Sequence, residues 1–215
     1  MRLLSRALTL LLPFTSLVVA QNWEVGASGG YGLPRDLSVS GPTSTGSTGF
    51  KSGYAFGALL GNHITRMVGG EIRYTYRKSD LKVSSGSVEA AASGQSHALH
   101  YDVLIHATPK RSAIRPFLAV GAGVKLFRGT GAEPVFQPLS NLVVLTHTRE
   151  AQPLISVGGG VKIAVTNRVL FRLDVRDYAT PVPDTLLASP AGRVKGWIHD
   201  FVFQFGVSTT FSDNR

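Results

Sequence analysis

The feature that most constrains this chain is a two-residue alternation near its end. Trp197, His199, Phe201, Phe203, Phe205, Val207, Thr209 and Phe211 take the odd positions, against Ile198, Asp200, Val202, Gln204, Gly206, Ser208 and Thr210 on the even ones. Successive side chains of a strand point to opposite faces, so as a β-strand this segment has one aromatic, apolar face and one largely polar face. A strand so divided separates two different media. The preceding segment repeats the pattern, with Val169, Phe171, Leu173 and Val175 opposite Arg168, Arg172, Asp174 and Arg176, and Leu170 as the exception. Six earlier segments read the same way, at about 22–31, 53–61, 68–77, 96–106, 118–126 and 155–164. Eight segments of about ten residues match the length that a tilted strand needs to cross the hydrocarbon layer.

The connections alternate as well. Long ones, at about 33–52, 78–95, 128–152 and 180–196, take turns with short ones at about 62–66, 108–115 and 166–168. An up-and-down barrel with both ends on the inner side has long external loops and short periplasmic turns. The Ser, Thr, Gly and Pro cluster at 38–49 reads as a mobile loop. The expected fold is therefore all-β, an eight-stranded antiparallel up-and-down transmembrane β-barrel over residues 21–215. Residues 1–20 read as an export signal: Arg2 and Arg6 precede an apolar run at 7–19 that is too short to span a bilayer, and Val18 and Ala20 are small residues at the peptidase positions. Elsewhere the chain has no run of 18 uninterrupted apolar residues, so integral membrane contact requires a closed barrel.

Composition removes several chemistries. The chain has no cysteine, which excludes disulfides, thiolate metal sites and cysteine nucleophiles. Its net charge is +9, yet only 16% of its 215 residues are charged, against roughly 25% in an average soluble domain. Two barrels fit the alternation: a soluble lipocalin-like barrel with an apolar cavity, and a membrane barrel with an apolar exterior. The polar set decides in favour of the second. It holds Glu24, Glu71, Asp102, Asp174 and Asp200 with Arg73, Lys125, Lys162, Arg172 and Arg176, five acids against five bases. Such equality suits a closed interior in which every ion is paired. Within that set, Arg172, Asp174 and Arg176, with Asp177 beside them, form a ladder that is expected to pair across strands with acids such as Asp200. The apolar set carries Trp23, Tyr31, Tyr54, Tyr76, Tyr101, Trp197 and Phe211, mostly towards strand ends, where rings sit at a membrane interface. The remaining positive charge falls on loops and turns beside headgroup phosphates, and no nucleic acid is needed to explain it.

Three stretches carry a family resemblance: RPFLAVGAGV at 115–124, FRLDVRDY at 171–178 and QFGVSTTF at 204–211. They resemble bacterial outer-membrane β-barrel proteins of the small OmpA/OmpX-like superfamily, the outer membrane protein beta-barrel domain, and the likeness covers the whole mature chain. It implies the outer membrane of a Gram-negative-type bacterium, with lipid and lipopolysaccharide as surroundings and the export and barrel-assembly machineries as partners. An external ligand reached through the loops is a further implied partner. The resemblance also makes Gln204, Gly206 and Phe211 parts of a C-terminal assembly signal, although residues 212–215 follow the aromatic and Thr209 stands where a larger apolar residue is common.

Some eight-stranded barrels of that membrane are lipid A acyl hydrolases, which brings Ser96, His97, His100, Asp102 and His106 into question. Ser96, His100 and Asp102 share one strand face and point in parallel, about 6.5 Å apart at successive positions. A catalytic triad normally converges from different elements. Gly121-Ala-Gly123 and Gly158-Gly-Gly160 lie mid-strand and precede no helix, so they are not phosphate loops. Neither a cofactor nor a metal is expected. The reading is a non-enzymatic structural or surface-interaction protein with a polar, side-chain-plugged lumen. The alternatives are the acyl hydrolase and a soluble periplasmic lipocalin-like carrier.

Overall fold

Alternation this strict leaves one arrangement in which no strand keeps a free edge: the sheet closes on itself. The computed structural model describes residues 23–40, 45–110, 112–130, 144–145, 148–183, 185–188 and 196–211. The proposed export signal at 1–20 lies outside them. Eight strands, β1 (Trp23–Pro34), β2 (Gly53–His63), β3 (Val68–Lys78), β4 (Gly94–His106), β5 (Ile114–Gly129), β6 (Arg149–Ala164), β7 (Val169–Pro181) and β8 (Trp197–Phe211), form a closed barrel. Each strand pairs antiparallel with its neighbours in sequence, and β1 closes the ring against β8.

The faces sort as the alternation requires. Outward residues are apolar and accessible, Leu118 at 69% and Phe205 at 59%, whereas the inward Arg73, Arg115, Arg172 and Arg176 are all 2% exposed or less. This inverts a lipocalin, whose cavity is apolar, and it removes the soluble-carrier alternative. Val120, on the outer face of β5 and flanked in register by Val103 of β4 and Val157 of β6, tests the assignment. Val120→Arg is expected to destabilise the barrel by about 2–4 kcal/mol in equilibrium unfolding from lipid vesicles. A change below about 1 kcal/mol, the range found near the interfaces, would remove that residue from the bilayer midplane.

Glycine shapes the wall where neighbouring strands approach closely. A β-carbon on Gly160 would run into the Leu173 carbonyl and stand 2.6 Å from Asp174 Cβ. One on Gly123 would meet the Leu99 carbonyl and His100. At these positions the small residue lets the adjacent strand pass and leaves the lumen to the long side chains opposite.

The segment at 38–49, read from sequence as a mobile loop, is structured over its described residues. Leu37–Ser40 pairs with Thr45–Phe50, which pairs with Leu81–Ser85, which pairs with Val88–Ala92. The first two long connections thus join in a four-stranded sheet above the long-loop rim. Gly86, with φ of 59°, supplies the left-handed conformation that turns its last hairpin. A further pair, Val144–Leu145 with Leu187–Ala188, links the other two long connections. The reason for this order is burial. Phe50, Leu81, Val83, Ala92, Phe127, Val182, Leu186 and Ile198 form an apolar core at this end, with Phe50 stacked on Phe127 at 5.0 Å. The loop residues are apolar at alternate positions because they cover the barrel mouth.

Candidate functional site

From the long-loop end inwards, the inward side chains meet in successive layers. Below the apolar core, Asp200 Oδ2 lies 2.6 Å from Lys125 Nζ and 3.0 Å from Arg77 Nε. Next, Tyr178 packs with Ala55, Ala98, Leu154 and Val202, and its hydroxyl lies 3.2 Å from both Thr75 Oγ1 and His100 Nε2. At mid-barrel, Arg73 forks onto Asp174 at 2.8 and 3.0 Å and also donates to Glu71 and Gln204 Oε1, each at 2.8 Å. Arg176 lies 3.4 Å from Asp102 and 3.8 Å from Glu71.

Lower still, Arg172 Nη1 bridges Glu71 at 2.7 Å and Glu24 at 2.9 Å, and Glu24 also accepts from Lys162 at 2.6 Å and Ser208 at 2.8 Å. Phe117 offers its ring to Lys162, Arg172 and Arg176 at 5.5–5.7 Å. Near the short-turn rim, Arg115 Nη1 lies 2.9 Å from His63 Nε2. These contacts come from strands far apart in sequence, so the network crosses the barrel and ties opposite walls together.

All ten charged residues expected in the lumen lie there, buried. The balance among them is different from the expected equality. Arg77 and Arg115 are also inward and buried, which makes seven bases against five acids among the described residues. Both were accessible to the alternation: Arg77 shares phase with Arg73, and Arg115 with Ala119, Gly121 and Lys125. The ladder partners differ too. Asp174 is held by Arg73 of β3, Asp200 pairs with Arg77 and Lys125, and Asp177 turns outward to accept from His199 Nδ1 at 2.7 Å. Register explains it: Asp200 stands opposite Tyr178, one inward position beyond Arg176.

The hydrolase constellation does not assemble. His100 Nδ1 lies 2.9 Å from Asp102 Oδ1, closer than parallel neighbours on a strand would suggest, but its other nitrogen faces Tyr178, not Ser96. Ser96, His100, Asp102 and His106 are all buried on the inward face of β4. His97 faces outward, 2.7 Å from the Tyr74 hydroxyl.

The aromatic residues fall at two levels with one exception. Tyr31, Tyr54, Tyr76 and Trp197 lie towards the long-loop end, and Trp23 and Phe211 face each other across β1 and β8 at the short-turn end. Tyr74, on the apolar face by phase but not counted among the interface aromatics, joins the first group together with His97, which the alternation places on the lipid-facing side near a rim: His97 makes ring contacts with both Tyr74 and Tyr76. Tyr101 stands mid-strand, its hydroxyl over the bare face of Gly70. Of the residues read as an assembly signal, Gln204 is a buried member of the Arg73 network, Gly206 packs against Ser28, and Phe211 is 61% exposed.

Residues 7–211 match the family model described as the outer membrane protein beta-barrel domain. The chain belongs to this family. Three solved structures share its fold. OprG from Pseudomonas aeruginosa superposes with a TM-score of 0.62 at 13% identity, covering 90% of this chain and 97% of that one. Neisserial surface protein A gives 0.55 at 14%, covering 88% and 97%. A major outer membrane protein from Thermus thermophilus gives 0.52 at 11%, covering 88% and 99%. No curated protein sequence matches the chain. At such identities the likeness shows the eight-stranded transmembrane barrel and nothing finer.

Proposed function

We propose that this family member is a non-enzymatic integral protein of the bacterial outer membrane, exported through its N-terminal signal, with an occluded lumen and its working surface on the external head. The carrying observation is that packing continues from one barrel end to the other. The apolar core under the loop sheet, the Asp200 layer, the Tyr178 layer and the Arg73–Arg172 network follow without a break in side-chain contacts. An eight-stranded barrel is just wide enough for side chains to fill it, and a cross-lumen ion network resists being opened by water. Its lipid, lipopolysaccharide and assembly-machinery partners follow from this placement, with Gln204, Gly206 and Phe211 as the segment offered to that machinery.

The head supports the surface role. Over its described residues the first two long connections form one folded sheet, and its polar rim includes the Lys51–Glu89 pair at 2.6 Å. The hydrogen bond from Lys51 holds the Glu89 carboxyl below its ordinary value. The direct test is conductance across a planar bilayer containing the purified barrel. The wild type is expected to give no stepwise current. Sustained unitary openings would remove the occluded lumen and with it this reading.

A further inference from the structure

The lipid-facing wall carries a groove of about 760 Å³. It spans β6 to β8 and continues over β1 to Phe56 of β2, with Gly159, Leu173, Phe203, Phe205 and Gly29 among its lining residues. Its surface is almost wholly apolar, and its volume falls within the roughly 300–1,000 Å³ of sites that take small organic ligands.

Gly29 makes the floor at the β1 end. It stands directly opposite Phe56 of β2 and Phe205 of β8, whose rings are 57% and 59% exposed. Nothing within the chain calls for glycine here, since a β-carbon would have Phe56 at 3.8 Å as its nearest neighbour. At Gly159, by contrast, the Phe117 carbonyl would lie 2.9 Å from such a carbon. A glycine in the middle of a strand weakens it, and where no neighbouring strand requires it, it is the mark of a close approach by a ligand or another backbone.

Above the groove stands a charge. The outward column of β1 runs Gly29, Tyr31, Leu33 and then Arg35, whose N–H extends the β1–β8 pairing by donating to the His199 carbonyl at 2.8 Å. Arg35 is exposed and its side chain has no hydrogen bond or ion pair among the described residues. The nearby acids are already held: Asp36 pairs with Lys82 at 2.7 Å, and Asp177 accepts from His199 at 2.7 Å. Arg35 lies six residues beyond Gly29, about 20 Å along the strand. At a tilt of about 35–45° that is a rise of about 15 Å, half of a hydrocarbon core about 30 Å thick. An acyl chain that starts beside Arg35 and follows the wall down therefore ends in the groove.

We infer that the groove and Arg35 form a binding site for one molecule of lipopolysaccharide, with a phosphate of its lipid A on the Arg35 guanidinium and an acyl chain over Gly29 between Phe56 and Phe205. A guanidinium suits a phosphate because it can grip it with two parallel bonds. The site rests on the membrane orientation proposed above, which puts the long-loop rim in the external leaflet, where lipopolysaccharide supplies both the anion and the chains beneath it.

The full-length barrel in maltoside micelles is titrated with lipid A in one arm and phosphatidylglycerol in the other, and native mass spectrometry counts bound lipids and barrel copies. The wild type is expected to take up one lipid A saturably, at least about tenfold more tightly than phosphatidylglycerol. Gly29→Leu fills the groove, and Arg35→Gln removes the charged donor; each is expected to weaken lipid A binding by about tenfold or more. Leu99→Phe, outward on β4 across the barrel, is expected to leave it unchanged. Arg35 lies at an exposed strand end, so Arg35→Gln keeps the test open should Gly29→Leu fail to fold. The inference is overturned by no saturable uptake, by equal affinity for phosphatidylglycerol, by a lipid-free pair of barrels that Gly29→Leu separates, or by unchanged affinity in either folded variant. A conducting barrel that still binds lipid A through Gly29 and Arg35 refutes only the occluded lumen, and a closed barrel that binds none refutes only the lipid site.

Discussion

Arg73→Ala is expected to destabilise the barrel by about 3–5 kcal/mol, the cost of breaking a buried ion pair from one side. Arg73 supplies both short contacts to Asp174 and single contacts to Glu71 and Gln204. After truncation Asp174 keeps only Arg172 at 3.6 Å and Arg176 at 4.0 Å, too far for good hydrogen bonds. Glu71 fares better because Arg172 holds it at 2.7 Å. The loss therefore concentrates on Asp174, and adding Asp174→Leu to Arg73→Ala is expected to return part of it, since no uncompensated carboxylate then remains at that position. Urea unfolding in vesicles reads both variants. Lys51→Ala, which breaks an ion pair on the solvated head, serves as the comparison and is expected to unfold with the wild type. Equal losses for Arg73→Ala and Lys51→Ala would mean that the lumen network is solvated.

Gly160→Leu is expected to prevent formation of the barrel altogether. Its first side-chain carbon would collide with the backbone carbonyl of Leu173 and with Asp174, so relief requires strands β6 and β7 to part. Overpacking against movable side chains costs about 1–3 kcal/mol, and here the obstacle includes backbone. Gly29 provides the internal contrast. A β-carbon there has Phe56 at 3.8 Å as its nearest neighbour, an ordinary contact on the lipid-facing wall. Gly29→Ala should fold normally. Migration of unboiled against boiled protein in detergent distinguishes them, with the heat-dependent shift lost in Gly160→Leu and kept in Gly29→Ala.

These two residues show what the sequence reveals and what it hides. Both are mid-strand glycines in alternating segments, and the alternation alone puts Gly160 on the lumen side and Gly29 on the lipid side. It cannot say which one a neighbouring backbone presses against, because that depends on register. The same holds for the charges. Phase placed Asp174 and Asp200 in the lumen, but their partners, Arg73 for one and Lys125 with Arg77 for the other, come from strands across the barrel. A count of acids against bases missed Arg115 because it lies at the very end of its strand, beside the turn. The head was the least legible part. Phe50, Leu81 and Val83 alternate over stretches too short to stand out from a loop, and they become strands only because the barrel mouth beneath offers apolar surface to cover.

A transmembrane barrel is defined by which face of its wall meets which medium. The chain contains no cysteine, so single cysteines can be introduced one at a time along β8 without background. Spin labels at 201, 203, 205 and 207 in vesicles should collide freely with dissolved oxygen and be shielded from a water-soluble nickel chelate. Labels at 202, 204 and 208 should be shielded from both. That alternation is the predicted result. Chelate access at the even positions would mean a water-filled pore, and access at the odd positions would mean a barrel standing in water.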